Sequence, residues 1–288
     1  MAAALPSLKV RRPPTAQDLA RPRRELDGGL LAEALRTLIE GCGPMGGVER
    51  YVAALKLKTD LFDEAFARGA ANLTRQAFLQ LATFMPTARR RIALYVDDAH
   101  FPEMRDALDK LLDGDPLSSD DRVAAFCANY RQDKEHRFIR DVAAEAPHDF
   151  SPENYPLMTR WVWDHRANSG VIRELWHGDD VDHIKIDVPD GYATHLMLRE
   201  ELPAWLTQNG VFADVPHYVD MVCAQVYANY ICAQGGTYLR TDFSAPEDPM
   251  RHTRRMLGLD GVRSGSNKTR LKSIDGEAFV IVDTPFLS

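Results

Sequence analysis

The chain has 288 residues, of which 35 are basic and 42 acidic, so its net charge is −7. A chain of this length buries a core without help from disulfides or metal, and its cysteines form no C-x-x-C pair. Because no apolar run approaches the roughly 18 residues of a membrane-spanning helix, we predict a soluble, cytoplasmic protein with no membrane segment.

The N-terminal residues 1–28 combine four prolines with several arginines, a composition that predicts a flexible arm. From residue 29 to residue 260 the apolar residues recur with a helical period, and glycine or proline interrupts each run. We predict helices that begin near residues 30, 48, 74, 86, 102, 119, 138, 152, 193, 214 and 249.

The helical period is interrupted once before the C-terminus. Ile184, Ile186 and Val188 alternate with charged residues, which predicts a short strand or an extended link. Near the end of the chain Asp275-Gly276 separates two apolar runs, a strong signal for a hairpin turn. The sequence therefore predicts a mostly α fold, an irregular bundle of roughly ten helices, with a small C-terminal β-hairpin. The predicted parts are the arm 1–28, a helical domain 29–260, and a basic loop with the hairpin at 261–288.

Two segments are unusually rich in aromatic and polar residues. Three of the four tryptophans lie between residues 161 and 176, and a second dense stretch covers residues 218–242. Such residues suit an ordinary core, an interface or the wall of a ligand site. If residues 152–168 form a helix, Trp161 and His165 share one of its faces. We predict that the two segments meet around one pocket, together with His177. Its ligand-binding residues would be Trp161, His165, Arg166, Trp176, Tyr227, Tyr230 and Arg240.

Six of the nine histidines have an acidic residue three positions upstream. Residues three apart on a helix share a face, and helical bundles build iron and manganese sites from this acid-x-x-His unit. Ordinary pairing of carboxylate and imidazole groups at a surface would use the same spacing. Glu174/His177 is the best-placed pair, since Pro147 is expected to interrupt Glu145/His148. Glu174 and His177 are therefore the candidate ligands for iron or manganese.

Charge is distributed unevenly along the chain. Residues 97–153 contain 15 acids and 7 bases, whereas residues 251–272 contain 7 bases and a single acid, Asp260. Seven bases cannot be buried without partners, so we predict an exposed cationic patch. Its anion-binding residues would be Arg254, Arg255, Arg263, Lys268 and Arg270. The patch would contact the acidic 97–153 region, in the same chain or a second copy, or an external anion.

The sequence contains no nucleophile-elbow, zincin or kinase signature. The leading hypothesis is a helical binding or accessory protein that acts through a pocket or interface lined by Trp, His and Tyr. Its partner would be another protein or a second copy of the chain, and a small-molecule ligand is also possible. Nucleic acid is disfavoured because most of the surface is acidic. The alternative is an oxidoreductase with non-haem iron or manganese in the helical bundle.

Overall fold

The structure is a computed structural model that describes residues 26–176, 185–235, 250–262, 268–272 and 278–280. Within these ranges the chain is mostly α-helical, which confirms the predicted fold class. The described helices are α1 (Gly28–Cys42), α2 (Val48–Phe66), α3 (Arg75–Thr83), α4 (Phe101–Leu112), α5 (Ser119–Ala128), α6 (Phe138–Phe150), α7 (Val171–Glu174), α8 (Tyr192–Gln208), α9 (Val215–Gly235) and α10 (Arg251–Met256).

The C-terminal part forms a small antiparallel ladder. Strand β1 (Lys268–Lys272) pairs with strand β2 (Ala278–Val280). The predicted turn at Asp275-Gly276 lies outside the described residues, as do residues 1–25 of the predicted arm. In the described part of the chain, no helix has both the length and the apolar character needed to cross a membrane.

Short side chains explain where several helices begin. The carboxylate of Asp27 accepts hydrogen bonds from the backbone N–H groups of Gly29 and Leu30 at the start of α1. The hydroxyl of Thr74 accepts one from the N–H of Ala77 at the start of α3. These contacts satisfy N–H groups that have no partner within the helix, so they define the first turn.

Two predicted helices do not form, although both stretches are described. Residues 88–95 make two 3₁₀ turns, Ala88–Arg90 and Ile92–Tyr95. Residues 151–170 are irregular, so Trp161 and His165 do not share a helical face. Pro156 explains part of this result, because proline lacks an N–H group and disfavours helical geometry in the residue before it. Ser151 begins a turn instead of a helix, and its carbonyl accepts from the N–H of Asn154 at 3.0 Å.

The predicted extended link is present in the described part that begins at Lys185. Ile186 and Val188 are buried while Lys185 and Asp187 are exposed, which is the period of two that the sequence predicts. The link forms no strand, because its carbonyls bond to side chains instead of to a neighbouring strand. The indole N–H of Trp163 donates to the carbonyl of Val188 at 2.9 Å.

The apolar side chains form two adjoining cores. The first lies mainly between α1, α8, α9 and the N-terminal half of α2, and the second lies mainly between α3, α4, α5 and α6. Helix α2 runs through both, and its Lys58 is only 5% exposed. The ammonium group of Lys58 lies 2.8 Å from a carboxylate oxygen of Asp149 on α6. Unpaired buried charge is strongly destabilising, so this ion pair accounts for a lysine inside the fold.

Candidate functional site

A cleft of about 420 Å³ opens beside the 3₁₀ turn Ala88–Arg90, the start of α6, the segment around Trp161, and α10. We call it the arginine cleft, because six basic side chains and only two acidic ones line it. The basic residues are Arg90, Arg91, Lys134, Arg137, Arg160 and Arg255, and the acidic residues are Glu135 and Glu145.

Most of the basic side chains in the arginine cleft form no ion pair with a carboxylate in the described ranges. Arg160 does form an ion pair, at 2.6 Å, with the buried carboxylate of Asp141. The other five bases form no ion pair with any carboxylate that the structure describes: Arg90, Arg91, Lys134, Arg137 and Arg255. Arg91 donates to the backbone carbonyl of Glu135. Clustered cations without counter-charges produce a positive potential that attracts anions.

The guanidinium of Arg255 shows the effect of this crowding. Burial lowers its pKa, the neighbouring charge of Arg90 lowers it further, and Asp260 offsets only part of the shift. A lowered pKa means that the surroundings disfavour the charged form of the side chain. An anion bound next to Arg255 would remove that penalty.

Trp161 forms an aromatic wall of the arginine cleft. Its ring centroid lies 6.0 Å from that of Tyr227 on α9, and Tyr227 lies 6.1 Å from Tyr230. The structure thus brings together three of the residues predicted to share a pocket, although Trp161 does not lie on a helix. Gly170 allows this segment to pack closely on itself. Its φ is +124°, and a Cβ atom there would approach the carbonyl oxygen of Val162 to 2.7 Å.

Glu145 lies deep in the arginine cleft, with 5% of its surface exposed. Its carboxyl group forms no hydrogen bond to any residue that the structure describes. Burial raises its pKa well above the usual range; the charge of Lys58 opposes this shift, and those of Asp149 and Asp141 add to it. A buried carboxyl group that faces a cleft and has no partner is a candidate for contact with a ligand.

The other predicted pocket residues lie elsewhere or are not described. His165 bonds through Nδ1 to a backbone carbonyl at 2.9 Å. Arg166 is exposed and lines a neighbouring cleft of about 590 Å³. Trp176 is buried in the first core. His177 and Arg240 lie outside the described residues, so their predicted roles are untested.

The five residues of the predicted cationic patch do not line one cleft. Arg255 alone among them contributes to the arginine cleft, while its neighbour Arg254 does not. Arg270 donates its Nε proton to a backbone carbonyl at 2.9 Å. Lys268 is exposed on β1, and Arg263 lies outside the described residues. The prediction therefore located one of the six cleft bases and missed five.

The missed bases come from residues 90–160, much of which the charge count assigned to an acidic surface. Lys134 and Arg137 are three residues apart, and Arg89, Arg90 and Arg91 are consecutive. These short basic groups are visible in the sequence. Their convergence depends on how α6 packs against the 3₁₀ turn and α10, which a charge count along the chain does not report.

The acid-x-x-His spacing has a structural cause at two of the six places. Nδ1 of His100 lies 2.7 Å from Asp97, and Nδ1 of His136 lies 2.6 Å from Asp133. In both pairs the same carboxylate accepts backbone N–H groups at the start of a helical turn. The spacing at these sites therefore reflects capping, which places the acid just before the turn and the histidine within it.

The predicted metal pair is not supported by the described part of the chain. No three His, Cys, Asp or Glu side chains converge as metal ligands among the residues that were described. Glu174 is half-buried on the short helix α7. His177 lies outside the described residues, so an iron or manganese site at this pair stays a prediction.

Pro147 does not interrupt α6, contrary to the prediction, and the helix continues to Phe150. Proline removes a single N–H group from α6, at Pro147 in the last turn. The carbonyl of Pro147 still accepts a hydrogen bond from the N–H of Ser151. His148 does not pair with Glu145. Its Nε2 lies 3.2 Å from Asp220 on α9.

Residues 41–46 match the string G-x-G-x-x-G, which in dinucleotide-binding proteins follows a strand and opens a helix. Here the string joins α1 to α2, so that interpretation does not apply. No protein-family model matches the chain, and no curated protein and no solved structure shows significant similarity to it.

Proposed function

We propose that this protein binds a small organic anion, a flat ring that carries a phosphate or carboxylate group, in the arginine cleft. The observation that supports this most is the group of five cleft cations without carboxylate partners among the described residues, beside the ring of Trp161. Guanidinium groups bind phosphate and carboxylate oxygens through paired hydrogen bonds. An anion in the cleft would neutralise charges that the described protein leaves uncompensated.

The remaining walls of the cleft suit the ring of such a ligand. Trp161 offers a flat face for stacking, and Phe138 and Met256 add apolar surface. The volume of about 420 Å³ falls within the range of small-molecule pockets. The sequence predicts a binding or accessory protein, and the proposal names its ligand as a flat ring that carries a phosphate or carboxylate group. The predicted protein partner or second copy of the chain is a separate proposal, which the charge asymmetry of the sequence supports.

The proposal is tested by comparing AMP with its two parts, inorganic phosphate and adenosine, by calorimetry and tryptophan fluorescence. We expect AMP to bind most tightly, because it alone satisfies both the cations and the aromatic wall. The double variant Arg90→Met/Arg255→Met should weaken AMP binding by roughly 100-fold or more, since each lost charged hydrogen bond removes about 1.5–3 kcal/mol. Trp161→Leu should weaken AMP binding but leave phosphate binding unchanged.

Arg254→Met is the matched control, because Arg254 lies on the same helix as Arg255 but does not line the cleft. Its affinity for AMP should stay within about twofold of the wild-type value, a difference of about 0.4 kcal/mol. Absence of binding by both AMP and phosphate would refute the proposal. An equal loss in Arg254→Met would show that general surface charge, and not the cleft, attracts the anion.

A further inference from the structure

We propose that Glu145 takes up one proton from solvent when an anion enters the arginine cleft, so that the ligand and a proton bind together. This inference rests on the proposed function and assigns a specific role to the one buried acid of the cleft. Its basis is the position of Glu145, which is 5% exposed, lines the cleft and has no hydrogen-bond partner among the described residues.

Glu145 is the middle of three acids on one face of α6, at positions four residues apart. The outer two have cations of their own. Asp141 pairs with Arg160 at 2.6 Å, and Asp149 pairs with Lys58 at 2.8 Å. No described cation forms an ion pair with Glu145. Its negative charge therefore lies between two other carboxylates that are each already neutralised.

The charged groups around Glu145 come from several elements. Lys58 faces it from α2, Asp141 and Asp149 from α6 itself, and Arg89 from the 3₁₀ turn. Arg89 is committed to Asp260 through two hydrogen bonds of 2.7 and 2.8 Å. Helices α4 and α5 also pack against α6, and their buried side chains are apolar apart from the hydroxyl of Ser119.

Lys58 and Arg89 favour the ionised form of Glu145. The guanidinium groups of Arg90 and Arg255 line the same cleft, and positive charge there favours a carboxylate. A bound anion neutralises those guanidinium groups and places a further negative charge near the carboxylate. Both changes disfavour the charged form of a carboxyl group. Protonation removes the repulsion and creates an O–H group that donates to an oxygen of the ligand. The raised pKa of Glu145, which burial causes before any ligand is present, brings this step closer to neutral pH.

The test measures AMP binding to the wild-type protein and to Glu145→Gln between pH 6 and pH 9. Calorimetry in buffers of different ionisation enthalpy counts the protons taken up per AMP. The phosphate of AMP also titrates, with a second pKa of about 6, but subtracting the Glu145→Gln value removes this contribution. Glutamine has the shape of the protonated acid and binds no proton.

We expect the wild type to take up as much as one proton more than Glu145→Gln, within part of this range. Its affinity for AMP should then fall by up to tenfold per pH unit more steeply than that of the variant. At pH 9 the variant should bind AMP more tightly than the wild type does. Glu145→Met, which also binds no proton, serves in the same subtraction if the glutamine variant fails to fold.

Equal proton counts in the wild type and the variant would overturn this inference while leaving the anion site intact. Absence of AMP binding to both proteins would instead overturn the proposed function, and the inference with it.

Discussion

Single glycines determine how closely two segments of the backbone approach each other. Gly258 follows α10 and has a φ of +76°, a conformation that residues with a Cβ atom adopt rarely. A Cβ atom at this position would come within 1.9 Å of the carbonyl oxygen of Phe84. Gly258 thus allows the segment after α10 to pack directly on the end of α3, next to the turn that carries Arg89 and Arg90.

We expect Gly258→Ala to lower the free energy of unfolding by about 2 kcal/mol or more, because the backbone oxygen of Phe84 cannot move aside easily. Chemical denaturation followed by circular dichroism measures this change. Gly43→Ala is the control: Gly43 has a φ of −48° and no atom within 4 Å of the added Cβ position. It should change stability by less than about 1 kcal/mol. Similar losses in both variants would contradict the steric explanation.

At the scale of elements, buried ion pairs join segments that are distant in sequence. Arg89 is 3% exposed and donates two hydrogen bonds to the carboxylate of Asp260, at 2.7 and 2.8 Å. The backbone carbonyl of Asp260 also accepts from Arg270 on β1. One aspartate therefore joins the 3₁₀ turn, the segment after α10 and the C-terminal strand, and the turn and α10 border the arginine cleft.

We expect Asp260→Asn to destabilise the fold by about 3–5 kcal/mol, since it leaves the buried guanidinium of Arg89 without a counter-charge. Asp98→Asn is the control, because the Asp98 side chain is 97% exposed and lies 3.5 Å from Arg75. Exposed pairs contribute at most about 1 kcal/mol. The measurement is the midpoint of urea unfolding in each variant. A loss below about 1 kcal/mol in Asp260→Asn would show that the Arg89 pair does not stabilise the fold.

At the scale of the whole molecule, buried polar groups join helices that are distant in sequence. His148 on α6 contacts Asp220 on α9 through Nε2, while its Nδ1 donates to the carbonyl of Tyr155 at 2.8 Å. Both ring nitrogens thus face acceptors, which favours the doubly protonated imidazolium. Burial alone would lower the pKa of His148, but the charge and the hydrogen bond of Asp220, together with the charge of Asp149, raise it. The pKa of Asp220 is lowered by the same pair, against the effect of its burial.

The direction of these shifts predicts how the stability of the fold depends on pH. A histidine with a raised pKa contributes fully to the free energy of unfolding at pH values below its unfolded pKa of about 6.5. This contribution is lost as pH rises through its folded pKa. Asp220 contributes to the free energy of unfolding above its ordinary pKa of 3.8. This contribution is lost only as pH falls below 3.8 and through the lowered folded pKa. The pair therefore stabilises the fold most between about pH 4 and pH 6.5.

We expect Asp220→Asn to destabilise the protein by about 3 kcal/mol at pH 5.5 and by less at pH 9, because the charge of His148 is lost as pH rises through its raised folded pKa. Asp97→Asn provides the comparison, since its partner His100 is exposed and the pair should contribute at most about 1 kcal/mol. Unfolding free energies from denaturant titrations at the two pH values test this prediction. A loss that is equal at both pH values would mean that His148 does not carry the charge.

Much of this architecture could be predicted from the sequence because it depends on local chemistry. The period of apolar residues along α1 and α2 and the cap at Thr74 act within a few residues, and Ile186 and Val188 alternate as expected. The local density of aromatic residues singled out Trp161, Tyr227 and Tyr230, whose rings lie close together although the predicted helix that would carry Trp161 does not form.

Only the tertiary structure decided which charges meet. The irregular path of residues 151–170 follows from contacts with distant residues, such as the bond from Arg160 to Asp141, which outweigh a helical propensity that acts locally. The arginine cleft collects bases that lie more than 150 positions apart, Arg90 and Arg255 among them. Their convergence, and the burial of Glu145 beside them, depend on how helices pack, because the Coulomb energy depends on distance in space and not on separation along the chain.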